Sequence, residues 1–201
     1  TPQMERIDEL VQKFTPKPGI TYTALALNQR GVERAKEYSP PLTIERDLWP
    51  RLNCHMCDVF VRRNNNRSQM QEMERWPKIV AQAQENGSTE AGIGTNASWG
   101  SNFLGDFSVD TLLTMLERQH TMWDDANIKV TSCSLGDPMS WCMPHKVEDT
   151  LIRIKERWPE INHFRLHFHN ARNMAIASGY AAIRTLGPDD TIELDGSIGG
   201  I

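Results

Sequence analysis

Apolar positions along the chain switch between two periods, one in two over short runs and one in three or four over longer ones. Ile20–Leu27 (ITYTALAL) follows the Pro18-Gly19 turn signal and predicts a strand, and Leu52–Val61 (LNCHMCDVFV) predicts a second. Ser68–Glu85 has a helical pattern in Met70, Met73, Ile79 and Ala83, with Pro77 marking a kink. Glu90–Asn96 is a strand of small residues. Ser108 predicts the cap of a helix over Val109–Met122, with Leu112, Leu113 and Leu116 as its buried stripe. Ile128–Leu135 predicts a strand, Lys146–Trp158 a helix, His163–His169 a strand, Met174–Leu186 a helix and Thr191–Ser197 a last strand. Ser39-Pro40-Pro41 is expected to turn within one connection.

Strand starts spaced by about 28 to 38 residues match the βα repeat of a (β/α)₈ barrel. The alternation predicts a parallel sheet covered by helices, in one domain over residues 1–201. Six strands are visible where a closed barrel needs about eight, and periodicity alone also allows a doubly wound sheet. No Gly-rich fingerprint follows a strand to open a dinucleotide or P-loop site.

Composition narrows this only a little. The 201 residues are 39% hydrophobic and 24% charged with a net charge of −4, ordinary globular values. The basic group Arg62, Arg63 and Arg67 is too short to predict a nucleic-acid surface, and no apolar run approaches the ~20 residues of a membrane span. No stretch resembles a signal peptide, and the chain opens at Thr1 without an initiator Met. Cys54, Cys57, Cys133 and Cys142 are expected to be reduced thiols, and a cytoplasmic or organelle-matrix protein is expected. Asn96-Ala97-Ser98 has the form of a glycosylation sequon, with nothing else pointing to secretion.

The strongest chemical signal is Leu166-His167-Phe168-His169-Asn170. On a strand His167 and His169 share a face, and near its C-terminal end they could share a divalent cation or be satisfied by ordinary hydrogen bonds. Asp137 sits at another strand end, where it could orient a ligand, shuttle a proton or simply form the turn before Pro138. Asp195 has a similar position. The thiols of Cys54-His55-Met56-Cys57 should face opposite ways on a strand, against a metal or redox pair. Arg165 should lie one layer below the histidines and pair with Glu193, both on the inward face.

Together these residues resemble the DRE-TIM metallolyases, the group of hydroxymethylglutaryl-CoA lyase, isopropylmalate synthase and homocitrate synthase. His167-Phe168-His169-Asn170 before the small-residue helix Met174–Ala182 resembles their His-x-His segment. Ser134-Leu135-Gly136-Asp137 and Asp195-Gly196-Ser197-Ile198-Gly199-Gly200 resemble the lyase's sixth and eighth strands. Pro2-Gln3-Met4, Pro18-Gly19-Ile20 and Leu27-Asn28-Gln29-Arg30-Gly31 resemble its region from the end of strand two through strand three, and Asn64–Ser68 its loop after strand four.

The resemblance implies barrel strands three to eight, with strands one and two and the C-terminal region missing. It implies His167 and His169 as metal ligands and Asp137 as an active-site carboxylate. Asn28, Asn96, Asn170 and Asp195 become candidate substrate contacts. The metal would be Mg²⁺ or Mn²⁺, with Zn²⁺ less expected. The reaction would be retro-aldol or retro-Claisen cleavage of a 3-hydroxy acyl substrate, an acyl-CoA or hydroxy acid. A homodimer is admitted, and neither nucleic acid nor membrane is expected as a partner.

The chain departs from the pattern in lacking an Asp-Arg-Glu tripeptide and in having Ile201 rather than Cys after Gly199-Gly200. The 201 residues alone are therefore expected to be inactive. The Asn that follows the histidine pair favours a Claisen-type synthase as the rival, and a non-catalytic barrel scaffold is the third reading. Trp99, Ser101, Asn102 and Phe103 are expected to line a mouth unlike the lyase's, pointing to a different substrate.

Overall fold

A computed structural model describes residues 5–13, 15–24, 29–38, 42–44 and 50–196. The chain divides into two compact units, Thr1–Trp49 and Pro50–Ile201. In the first, α1 (Ile7–Lys13) is followed by β1 (Tyr22–Ala24), α2 (Gln29–Lys36) and β2 (Leu42–Ile44). Strands β1 and β2 pair in parallel, Tyr22 opposite Leu42, and Val32 and Ala35 of α2 are buried. Strand β1 falls within the expected Ile20–Leu27, whereas β2 has no counterpart in the sequence reading. The Ser39-Pro40-Pro41 turn lies outside the described residues.

The second unit is built on a five-stranded sheet in the order β3-β4-β7-β8-β9, with every pairing parallel. Its strands are β3 (Cys54–His55), β4 (Glu90–Asn96), β7 (Lys129–Asp137), β8 (His163–Phe168) and β9 (Thr191–Leu194). Helices α3 (Asp58–Asn65), α4 (Gln69–Met73) and α5 (Trp76–Glu85) connect β3 to β4. Between β4 and β7 come a small antiparallel hairpin, β5 (Gly100–Ser101) with β6 (Gly105–Asp106), and α6 (Val109–Asp125). Helices α7 (Pro144–Arg157) and α8 (Ala175–Thr185) complete the repeats. This is α/β barrel architecture, present in part.

Alternation along each strand separates the sheet's two faces. Ala91, Ile93 and Thr95 of β4, Cys133, Leu135 and Asp137 of β7, and Phe164 and Leu166 of β8 are buried on the helix side. Their neighbours on the other face are Gly92, Gly94, Asn96, Ser132, Ser134, Gly136, His163, Arg165 and His167, brought into line by the register. Thr191 and Glu193 extend this face on β9, while Arg51 and His55 extend it beside β4. Not one side chain of the set is hydrophobic. In a barrel this face lines the interior.

Two expected elements differ. The run Leu52–Val61 alternates like one strand, yet pairing stops at His55 and α3 starts at Asp58. Cys57 is the reason: its sulfur accepts the Phe60 N–H and caps the helix, after which Val61 is buried and Val59 exposed, as helical spacing requires. Ser68–Glu85 is two helices rather than one kinked one. Ser68 and Gln71 form a capping box on α4, and Pro77, in the first turn of α5, starts a new helix where its missing N–H is harmless.

One contact between layers comes from a polar side chain. The β3–β4 ladder is interrupted between the Arg51–Gly92 bridge and the Cys54–Thr95 pair. There the fully buried Gln119 of α6 reaches the strand. Its Oε1 accepts the Gly94 N–H at 2.8 Å, and its Nε2 donates to the Gly94 carbonyl at 2.9 Å. One helical turn on, Trp123 Nε1 donates to the Gly92 carbonyl at 3.0 Å.

Candidate active site

Side chains at the C-terminal ends of the strands fall in one transverse row. His55 pairs with Asn96, Asn96 with Gly136 and Gly136 with His167, and the next position across the sheet is Asp195, whose N–H bonds the Leu166 carbonyl. The strands put these side chains on one face because the alternate positions, Thr95, Leu135 and Leu166, are locked in the core. Gly136 is small for a reason. A Cβ there would collide with Asn96 Oδ1, so the half-buried Asn96 amide lies over the glycine.

At one end of the row, His167 Nδ1 and Asp195 Oδ2 are 2.9 Å apart, and Arg165 Nε donates to Asp195 Oδ1 at 3.2 Å. The hydrogen bond from His167 holds the Asp195 carboxyl below the usual carboxylate range; partial burial opposes this, and the charge of Arg165 adds to it. A carboxylate at Nδ1 fixes that nitrogen as the protonated one and leaves Nε2 as the ring's donor to a ligand. His169 follows β8, its N–H bonding the Asp137 carbonyl, and its ring centroid lies 5.1 Å from that of His167. Burial, and then the neighbouring imidazole, lower the His169 pKa, favouring the neutral ring that binds metals.

Two adjacent imidazoles, one braced by a carboxylate, suit two positions of a divalent cation's ligand set. Among the described residues no group of three or more His, Cys, Asp or Glu completes such a set. The pair therefore fits as part of a centre.

The other sequence candidates are placed as follows. Asp137 is fully buried on the helix side of the sheet, where Oδ1 accepts the Trp141 N–H and Oδ2 the Cys142 N–H, both at 2.8 Å. It binds the loop after β7. Asn170 accepts the Ala175 N–H at 3.1 Å and so caps the first turn of α8. Asn28 lies outside the described residues, as do Ser197–Ile201. Arg165 and Glu193 do pair, at 3.9 Å, but Arg165 lies closer to Asp195, and the half-exposed Glu193 is 2.8 Å from His163 Nε2. The inward register of the strands is as expected, while full burial of that pair is not.

Two residues assigned to the mouth belong to the interior. Trp99 is buried and donates Nε1 to Thr150 at 3.0 Å, and Ser101 is buried as well. Their Gly100 neighbour turns the chain into the hairpin, and of the four residues assigned to the mouth Asn102 and Phe103 are the exposed ones. Asn102 accepts from Trp141 Nε1 at 2.9 Å, the Arg172 guanidinium lies 4.2 Å over the Trp141 ring, and Arg63 lies 4.8 Å over Phe103. These stacked cations rim the strand ends.

The Cys-x-x-Cys pair is split, Cys54 buried at the start of β3 and Cys57 capping α3; all four thiols are free. Burial pushes the Cys54 thiol up to about 12. Between these cysteines is a residue that the sequence reading passed over. The His55 Nδ1 lies 2.9 Å from both oxygens of Glu72, and Glu72 Oε2 also accepts the His55 N–H at 3.0 Å. Burial would raise the Glu72 carboxyl, but its hydrogen bonds to the His55 ring and backbone prevail and hold it low. The sequence reading put His55 inside a strand over Leu52–Val61, and it is the early end of β3 at His55 that brings the ring to the row.

No protein-family model matches the chain. Over all 201 residues it is 25% identical to hydroxymethylglutaryl-CoA lyase YngG of Bacillus subtilis (strain 168) and spans 60% of that protein. Solved structures with the same fold include a hydroxymethylglutaryl-CoA lyase from Pseudomonas aeruginosa (TM-score 0.65, 21% identity, 98% of this chain and 60% of that one). Another is an HMG-CoA lyase from A. baumannii in complex with coenzyme A and 3-methylmalate (TM-score 0.65, 22% identity, 99% and 60%). A third, from Brucella melitensis, gives a TM-score of 0.64 at 16% identity, with 96% and 62% covered. The resemblance read from the sequence is borne out over the whole chain, which spans about 60% of these relatives.

Proposed function

We propose that this chain, a hydroxymethylglutaryl-CoA lyase-like part of a barrel, belongs to an enzyme that cleaves a carbon–carbon bond in a 3-hydroxy acyl substrate with the help of a divalent cation. The observation that carries the reading is the pairing of His167 and His169 beside Asp195 at the C-terminal end of a parallel sheet, where barrels place their chemistry. His167, through Nε2, and His169 would hold the cation, with Mg²⁺ or Mn²⁺ the first choices. When bound, it supplies Lewis-acid polarisation of substrate oxygens.

The chain's own residues do the rest by position. Asp195 fixes the tautomer and orientation of His167, and the His167 hydrogen bond, aided by Arg165, keeps Asp195 charged. Asn96, braced over Gly136, offers an amide to the mouth. Asp137 holds the loop that carries Trp141, and thereby the wall formed by Trp141, Asn102 and Arg172. An acyl-CoA or a hydroxy acid is the substrate class, in keeping with the coenzyme A and 3-methylmalate held by the A. baumannii lyase. The synthase alternative leaned on the Asn after the histidine pair. Helix capping accounts for Asn170, so that reading gains nothing from it.

The test uses the full-length protein. Calorimetry with Mn²⁺ and a cleavage assay on a 3-hydroxy-3-methylglutaryl thioester should show metal-dependent activity. His167→Ala and His169→Ala should each abolish metal binding and cleavage. Full activity in excess EDTA overturns the proposal.

A further inference from the structure

The buried His55–Glu72 pair stands at the far end of the row from His167, three strands away, or about 14 Å along the sheet at ordinary strand spacing. Its geometry is that of an oriented imidazole. Glu72 takes Nδ1 with both oxygens, Asn65 Nδ2 donates to Glu72 at 3.4 Å, and Phe60 packs on the ring at a centroid distance of 5.6 Å. The Gln69 amide fixes the backbone beside it through the His55 carbonyl, at 2.7 Å. Every contact but one side of the ring is accounted for. Nε2 has no hydrogen-bond partner among the described residues and is not sealed from solvent.

Packing alone does not require such a pair, because a buried ion pair is about as stable as an apolar pair of the same shape. The same strand face offers a second sign of use. Two positions below His55, Asn53 Oδ1 is buried with no partner, a polar atom on a face that no hydrophobic residue fills. The small residues Gly94, Asn96, Ser134 and Gly136 between His55 and His167 leave the two imidazoles standing on either side of a low floor.

We propose that His55, oriented by Glu72, is a substrate-binding residue whose Nε2–H, in the charged ring, donates to a carboxylate oxygen at the end of the substrate remote from the His167–His169 pair. This rests on the reading of the site as that of a hydroxy-acid lyase. It makes the preferred ligand an acid with a second, free carboxylate.

The experiment is ligand titration of the full-length protein by calorimetry, with 3-hydroxy-3-methylglutarate and its monoamide as probes, for wild type, His55→Gln and Glu72→Gln. A charge-assisted bond of this kind should make wild type favour the diacid by about tenfold or more. His55→Gln should lose that preference, and Glu72→Gln should lose part of it. A His55→Gln protein that still prefers the diacid as wild type does overturns the proposal. Should that variant not fold, ring ¹⁵N resonances of wild-type histidines decide: a shift of the His55 Nε2 signal on adding the diacid supports it, and none overturns it. Neither readout needs cleavage, so loss of the metal-lyase reading through His167→Ala and His169→Ala would be seen separately.

Discussion

Replacing Gln119 with Met isolates the contribution of the amide that bridges α6 and β4. Methionine has nearly the same length and no strong hydrogen-bonding group, so the Gly94 N–H and carbonyl lose the partners now at 2.8 and 2.9 Å. Both lie where the β3–β4 ladder is interrupted, and Gln119 is fully buried, so water does not replace it. An unsatisfied buried polar group costs about 1–3 kcal/mol, so two cost roughly 2–6 kcal/mol, partly offset by the apolar side chain gained. A net loss of about 3 kcal/mol is expected. With a urea slope of about 2 kcal/mol/M, the unfolding midpoint should fall by about 1.5 M. Tryptophan fluorescence can follow it, since Trp123 and Trp99 are buried in the same core. Thr121→Ala, on the exposed side of the same helix, serves as the control and should shift stability by no more than about 0.5 kcal/mol. Should Gln119→Met unfold within about 0.3 M of wild type at an unchanged slope, the bridge is not worth what its geometry implies.

Four other outcomes follow from single contacts. Asp137→Asn turns an acceptor of two backbone N–H groups into one, and should cost about 1–3 kcal/mol in denaturant unfolding; unchanged stability with lost cleavage would instead place Asp137 in contact with substrate. The Glu72 carboxyl is held below its unfolded value of about 4.3, so its stabilisation is complete above that value and is lost as the pH falls through the lower folded value. The stability gap between wild type and Glu72→Gln should accordingly shrink on acidification below about pH 4, and a gap that widens would contradict the sign of the shift. Burial pushes the thiols of Cys54, Cys133 and Cys142 up to about 12, so at about pH 8 a maleimide should label them only after unfolding; peptide mapping that finds rapid native labelling refutes this. Gly94→Ala would bring a Cβ to 2.6 Å from the Ser134 carbonyl oxygen, a backbone atom that cannot swing aside, and should lower stability by about 1–3 kcal/mol; a neutral result in thermal unfolding counts against the strand spacing.

What could be read from the sequence was whatever a single strand or helix decides for itself. Strand β4 was expected at Glu90–Asn96 and runs over those residues, and Ser108 caps α6 as expected. The shared face of Arg165 and His167 followed from alternation alone. What could not be read depended on partners distant in the chain. Asp137 and Asn96 both end strands with polar residues, and only the register puts one among the helices and the other over the row. Cys57 was read as a strand residue because nothing local showed that its sulfur would start a helix. Glu72 lies 17 residues from the His55 it orients, and Gln119 lies 25 from the strand it completes; no periodicity carries either contact.

The division of the sheet into an apolar side and an entirely polar side also bears on how such a protein can change. Cohesion of the second unit comes from the helix-facing layer, where Ile93, Leu135, Phe164 and Leu166 are immobilised among α5, α6 and α7. The opposite layer adds little to that cohesion, because glycine, serine and charged side chains bury almost no hydrocarbon. Residues such as Asn96 and Arg165 can therefore be exchanged during divergence with small losses of foldedness. A lineage could move from one acid to another by editing the inner surface while the outer shell keeps the scaffold intact.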